Sequence, residues 1–194
     1  MITSIQVTDS YQAPHRQHAL GFCTKFKVAI DVGAHIGLWT RDLAFHFKRV
    51  ICFEPVAEFR EILRKNTETN SNVEILPFAL GNDNRSVGFN VQKDNTGNSH
   101  VDPKDNQKYR VQMRTLDSFD FGYIDFIKMD CEGYEVEVIK GAEETLKRCR
   151  PIINLEQKKF LPNGGQQYDA VRLLESYGAR RKGRKVDEIV MGWF

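Results

Sequence analysis

Lys128, Asp130 and Glu132 alternate at the end of an otherwise apolar stretch, and Gly133 follows them. Burying such charges costs several kcal/mol unless they are paired. A reacting cluster is therefore the preferred reading, and a structural ion-pair network is its rival. A carboxylate held there would take a proton from a hydroxyl or orient it. Asp130 is the first candidate, with Glu132 and Lys128 setting its charge. A weaker option is a divalent cation held by Asp130 and Glu156, since hard oxygen ligands suit Mg²⁺.

A second group of residues forms a turn, Asp31-Val32-Gly33-Ala34-His35-Ile36-Gly37. A dinucleotide site needs G-x-G-x-x-G, and a P-loop needs G-x-x-x-x-G-K-[ST]. Neither is present: the glycines stand four apart, and Leu38 occupies the place of the lysine. An acidic Asp31 at the lip of the turn would repel a pyrophosphate. S-adenosylmethionine (SAM) has no phosphate and carries a sulfonium and an ammonium, so an acidic turn suits it. Gly33 lets the backbone approach a ligand, and Gly37 lets the following helix pack near the strand. The rival reading is a plain strand–helix turn.

Glu54 lies 23 residues after Asp31. An acidic side chain at that distance binds the ribose diol in dinucleotide folds, and SAM has the same diol. Pro77-Phe78-Ala79-Leu80-Gly81-Asn82 ends a third apolar run and would lie beside an adenine ring. Asn82 or Asp83 would supply hydrogen bonds, an ordinary turn being an equally good reading.

The elements that must position these residues follow from the hydrophobic pattern. Apolar runs at 27–32, 50–54, 73–78, 124–129 and 152–155 read as strands. Helical patterns fill 38–47, the stretch from Pro55 through Leu63, 134–148 and 169–177, and a last strand is expected in 186–194. Near-continuous apolar strands separated by helices imply a mostly parallel sheet with helices on both faces. Ligands bind such sheets beyond the carboxyl ends of the strands. One domain is expected over residues 1–194, with an N-terminal helix or arm over 1–22. Residues 82–114 read as an inserted β-hairpin after strand three, from alternating stretches at 86–92 and 108–113. Within its polar loop, residues 93–100, Thr96 to His100 are expected to act as a lid toward the acceptor, or else the segment is a solvated hairpin.

At 194 residues and 41% hydrophobic the chain is long and apolar enough for one core. A net charge of +2 gives no global field toward nucleic acid or membrane. No apolar run approaches the ~20 residues of a membrane helix, and residues 1–10 lack the pattern of a secretion signal. Cys23, Cys52, Cys131 and Cys149 form no C-x-x-C pair and read as reduced thiols of a cytoplasmic protein. The basic run at 180–185 reads as a solvated turn, since no aromatics interleave it. The expected partner is a small-molecule or glycan acceptor, with neither nucleic acid nor membrane; oligomeric state is left open.

In order along the chain stand Asp31 to Gly37, Phe53-Glu54-Pro55, Ala79-Leu80-Gly81, Thr115-Leu116-Asp117, the run from Ile124 to Glu135, Ile139-Lys140-Gly141-Ala142 and Ile153-Asn154-Leu155-Glu156. This series resembles the FkbM-type methyltransferases, a class I SAM-dependent family associated with O-methylation of sugars and polyketide-like products. The resemblance covers roughly residues 28 to 157. It implies a Rossmann-like class I methyltransferase fold, with a seven-stranded, mostly parallel sheet whose last strand is antiparallel. It implies SAM contacts from Asp31, Val32, Gly33, Ala34, His35 and Gly37, from Glu54 and Pro55, and from Ala79, Leu80 and Gly81. The family turn reads D-V-G-A-N-x-G, and here His35 replaces the asparagine. The expected activity is SAM-dependent O-methylation, the alternatives being a nucleic-acid methyltransferase and a SAM-binding module without catalysis.

Overall fold

The computed structural model describes residues 12–92, 94–102, 104, 106–156 and 165–193. The part of the expected N-terminal arm up to residue 11 therefore lies outside the described residues, as do Lys93 of the expected polar loop, Gln157 and Phe194.

The main sheet has seven strands: β1 (Val28–Val32), β2 (Arg49–Phe53), β3 (Val73–Leu76), β8 (Phe126–Met129), β9 (Ile152–Glu156), β10 (Arg180–Lys185) and β11 (Glu188–Gly192). The intervening β4 (Ala79–Leu80), β5 (Arg85–Asn90), β6 (His100–Val101) and β7 (Arg110–Arg114) make a separate four-stranded sheet. Among the described residues, six α-helices complete the order: α1 (Ala13–Leu20), α2 (Leu38–His46), α3 (Ala57–Asn66), α4 (Glu135–Lys140), α5 (Glu143–Cys149) and α6 (Asp169–Ser176).

Spatially the main sheet runs β3-β2-β1-β8-β9-β11-β10. The first five of these are parallel, β11 is antiparallel to β9, and β10 is antiparallel to β11. This is the mostly parallel seven-stranded class I arrangement, with the last strand of the chain reversed. Alternation along each strand divides the core between two faces. Ile30, Ile51, Ile127 and Ile153 pack with Val138, Leu146 and Leu174 of α4, α5 and α6. Ala29, Val50 and Phe126 pack on the other face with Leu20 of α1 and Leu43 of α2.

Three expectations are corrected. The basic run at 180–185 is the edge strand β10, not a turn, because it pairs antiparallel with β11. Lysine and arginine along such an edge discourage pairing with another chain. The single helix expected over 134–148 is two helices. At the break, a Cβ on Gly141 would stand 1.8 Å from the Gly81 carbonyl oxygen, and the Asp117 carboxylate accepts from the N–H groups of Glu144 (3.0 Å) and Thr145 (2.9 Å), capping α5. The third strand ends at Leu76, after which Ala79–Leu80 joins the smaller sheet through β7.

In the 82–114 segment, β5 pairs antiparallel with β7 and with β6. All four cysteines are free. Among the described residues, no helix is long and apolar enough to cross a membrane.

Candidate cofactor and active site

A cavity of about 330 Å³ opens at the carboxyl ends of β1, β2, β8 and β9, and residues 95–101 wall its far side. The turn after β1 forms its floor. The N–H groups of Gly33 and Ala34 both donate to the Phe53 carbonyl at 3.1 Å, binding the turn to β2. Gly33 has φ +77, and a Cβ there would lie 2.0 Å from the Asp130 carbonyl oxygen, so only glycine fits. Gly37 has φ +85 and lies against Leu63 of α3. His35 is also left-handed, at φ +51. Asparagine and histidine are among the non-glycine residues that adopt this region most readily, so the turn accepts either one.

Asp31 occupies a different place from the one its sequence position suggested. Its side chain is fully buried and does not line the cavity. It accepts from the Thr40 hydroxyl of α2 at 2.6 Å and faces Lys128 Nζ at 3.5 Å. It therefore forms no acidic lip, and the repulsion argument against a pyrophosphate passes from Asp31 to the carboxylates that do face the cavity. Val32, Gly33, Ala34 and His35 line it, whereas Gly37 does not.

Glu54 does line the cavity and is 4% exposed. One carboxylate oxygen accepts from His35 N–H and the other from Val56 N–H, both at 2.8 Å. Burial pushes its pKa up to about 7, against the pull of these two backbone donors. Each oxygen keeps a second lone pair, which suits the two hydroxyls of a ribose. Pro55, Ala79 and Leu80 line the cavity beside it, and so does Phe78. Gly81 does not; a Cβ there would strike the Met113 sulfur at 2.3 Å, so this glycine serves packing.

Across the cavity stand Asp130, Glu132 and Glu156, each half-buried, with carboxylate oxygens within 4.8 Å of one another. Three oxygen donors at that separation match the ligand chemistry of a hard divalent cation. Lys128, 5% exposed, stands at their base. Its Nζ donates to the Gly33 carbonyl at 3.2 Å and lies 3.5 Å from Asp130 and from Asp31. Burial alone would lower its pKa, but the carboxylates of Asp130 and Asp31 outweigh burial and raise it, so Lys128 stays cationic.

Glu132 and Gly133 are both left-handed, at φ +53 and +96. The strained loop is held by Glu135, whose Oε1 accepts from Cys131 N–H (2.9 Å) and Gly133 N–H (3.3 Å). His35 links the cavity floor to the 95–101 wall: its Nε2 is 3.0 Å from the Thr96 hydroxyl, and its ring packs T-shaped against the Phe59 ring at 4.6 Å. Burial, and then Lys128, lowers its pKa to about 4, so the imidazole is neutral.

Several lining residues had no sequence signal. Trp39, Phe59, Phe89 and Tyr134 all face the cavity, and Trp39 Nε1 donates to Gln12 Oε1 at 2.7 Å. An aromatic that walls a cavity has the same helical or strand spacing as one in the core. Two quoted motif residues are structural instead. Asp117 caps α5, and Asp125 accepts from the N–H groups of Lys27 (2.8 Å) and Val28 (3.1 Å) at the start of β1.

Comparison with known proteins agrees with this fold. The sequence model described as "Methyltransferase FkbM domain" matches residues 31–181. No curated protein matches the sequence. Among solved structures, methyltransferase FkbM from Methylobacillus flagellatus KT superposes with a TM-score of 0.61 at 19% identity, covering 89% of this chain and 45% of that one. The chain thus spans about half the length of that protein. A SAM-dependent methyltransferase from Aquifex aeolicus gives 0.53 at 17% identity, over 92% and 88% of the two chains. Precorrin 8w decarboxylase from Methanobacterium thermoautotrophicum gives 0.56 at 16% identity, over 98% and 94%. At such identities these likenesses speak for the fold alone. The domain match over most of the chain, with the class I sheet beneath it, shows that the chain belongs to the FkbM family of SAM-dependent methyltransferases.

Proposed function

We propose that the protein transfers a methyl group from SAM to a hydroxyl of a small-molecule or glycan acceptor. The observation that carries this reading is one cavity with two chemically distinct sides: the β1 turn with Glu54, and the converging carboxylates of Asp130, Glu132 and Glu156. The first side fits SAM: its buried carboxylate suits a diol, its glycine turn permits close approach, and its acidic surroundings suit a cation.

SAM, when bound, supplies a methyl carbon activated by its sulfonium sulfur. The chain's own task is to align the acceptor, exclude water and take a proton. In this reading Asp130 accepts the hydroxyl proton on a carboxylate oxygen. Lys128, 3.5 Å away, keeps that carboxylate in place, while Glu132 and Glu156 orient the remaining acceptor hydroxyls.

Labelled SAM incubated with glycan and small-molecule pools tests the reading, with Asp130→Asn as the diagnostic variant. Methyl transfer should collapse in Asp130→Asn while SAM binding survives, and unchanged turnover would remove Asp130 from the role.

A second reading is favoured by the spacing of the three carboxylates: Asp130 and Glu156, with Glu132, would hold a divalent cation, which would supply Lewis-acid polarisation of an acceptor diol. Activity lost to a chelator and restored by Mg²⁺ would support it, and chelator-resistant turnover would exclude it.

A further inference from the structure

We infer that the imidazole of His35 is a positioning residue for the acceptor side of the cavity, docking the 95–99 loop onto the cofactor turn. The inference rests on the proposed division of the cavity into a cofactor side and an acceptor side.

The loop is a compact unit. Asn98 N–H donates to the Asn95 carbonyl at 3.0 Å, the Ser99 hydroxyl to the Thr96 carbonyl at 2.8 Å, and Gln92 N–H to the Ser99 hydroxyl at 3.1 Å. Its base is fixed where β6 pairs with β5 at Asn90–His100 and Phe89–Val101. These bonds shape the loop without placing its tip over the cavity. The contact that places the tip joins residues 61 apart, from His35 Nε2 to the Thr96 hydroxyl at 3.0 Å, in a partly buried setting.

The His35 end of this contact is rigid. Its backbone is left-handed, its N–H is held by Glu54, and its ring packs T-shaped against that of Phe59. The main chain of residue 35 thus serves the cofactor side, while its ring serves the opposite wall. An asparagine would hold the same backbone, but its amide ends short of the position of Nε2. A neutral imidazole bonds a hydroxyl in either tautomer.

Hydrogen exchange on the full chain, with S-adenosylhomocysteine (SAH) titrations alongside, tests this for His35→Asn, Thr96→Val and Thr96→Ser. Amides 96–99 should exchange about fivefold faster in His35→Asn and Thr96→Val, the worth of one neutral hydrogen bond. Thr96→Ser, which keeps the hydroxyl, should restore the wild-type rate, and amides of β1 and β2 should not change. For an acceptor found with labelled SAM, Thr96→Val should raise its KM by about fivefold and leave the KM for SAM in place. Wild-type exchange in Thr96→Val, or a Thr96→Ser variant as fast as Thr96→Val, would overturn the inference. A wild-type chain that does not bind SAH sinks the methyltransferase reading instead, and the exchange rates still decide the docking contact.

Discussion

Lys128 Nζ lies 3.5 Å from a carboxylate oxygen of Asp31, and both side chains are buried at the base of the cavity. They are register partners on adjacent parallel strands, so the pair is fixed by the sheet and not by flexible loops. Asp31 is tied back to α2 by Thr40, while Lys128 reaches forward to Gly33 and Asp130. The acidic start of the glycine turn therefore acts on the site through a lysine.

The first prediction follows from that pairing. Removing Asp31 takes one of two carboxylates from the buried Lys128 and leaves Asp130 at 3.5 Å, so Asp31→Ala should lower unfolding stability by up to about 3–5 kcal/mol. Thr40→Val, which strips one hydrogen bond from the buried carboxylate, should cost about 1–3 kcal/mol. Denaturant unfolding measures both. A stable Asp31→Ala protein with weakened SAH binding would mean that Asp31 touches the cofactor after all.

The second concerns pH. Glu135 is buried and pushed up to about 7 from an ordinary 4.5, with burial the main cause and backbone donors opposing it. Between those values the folded chain keeps a proton that the unfolded chain has lost, so stability falls as pH rises through that window. Urea unfolding over this range should show the decline in wild type and a flatter curve in Glu135→Gln. Both backbone donors go to one oxygen of Glu135, so the amide can keep them. Equal slopes in the two proteins would contradict the assignment.

The third uses the strain at Glu132, whose φ is +53. Glycine adopts this region freely, so Glu132→Gly should stay within about 1 kcal/mol of wild type. A β-branched residue cannot, so Glu132→Val should be destabilised by about 1–3 kcal/mol. Both variants should lose methyl transfer if the carboxylate orients the acceptor. Thermal unfolding and labelled methyl transfer separate the two effects, and a fully active Glu132→Gly would contradict the role.

Much of the fold was legible because each central strand is a near-continuous apolar run of its own. The ends of those strands, at Asp31, Glu54, Lys128 and Glu156, named the region of the site. The direction in which a strand side chain points relative to a cavity was not legible. Asp31 follows the buried Ala29 and Ile30 in the same pattern as a lip residue would, and only its register with Lys128 places it beneath the floor. The strand at 180–185 was hidden because five of its six residues are basic, and its pairing with β11 outweighs that low intrinsic preference. The Thr96 contact was hidden because it joins residues 61 apart through a turn of 3-10 type that carries no periodicity.

The most direct test of the central claim, that this cavity binds SAM through Glu54, is isothermal titration of SAM into wild type and Glu54→Ala. One saturable site is expected in wild type, with affinity at least about tenfold weaker in the variant, which corresponds to about 1.4 kcal/mol. No saturable binding to wild type, or equal affinity in Glu54→Ala, would contradict it.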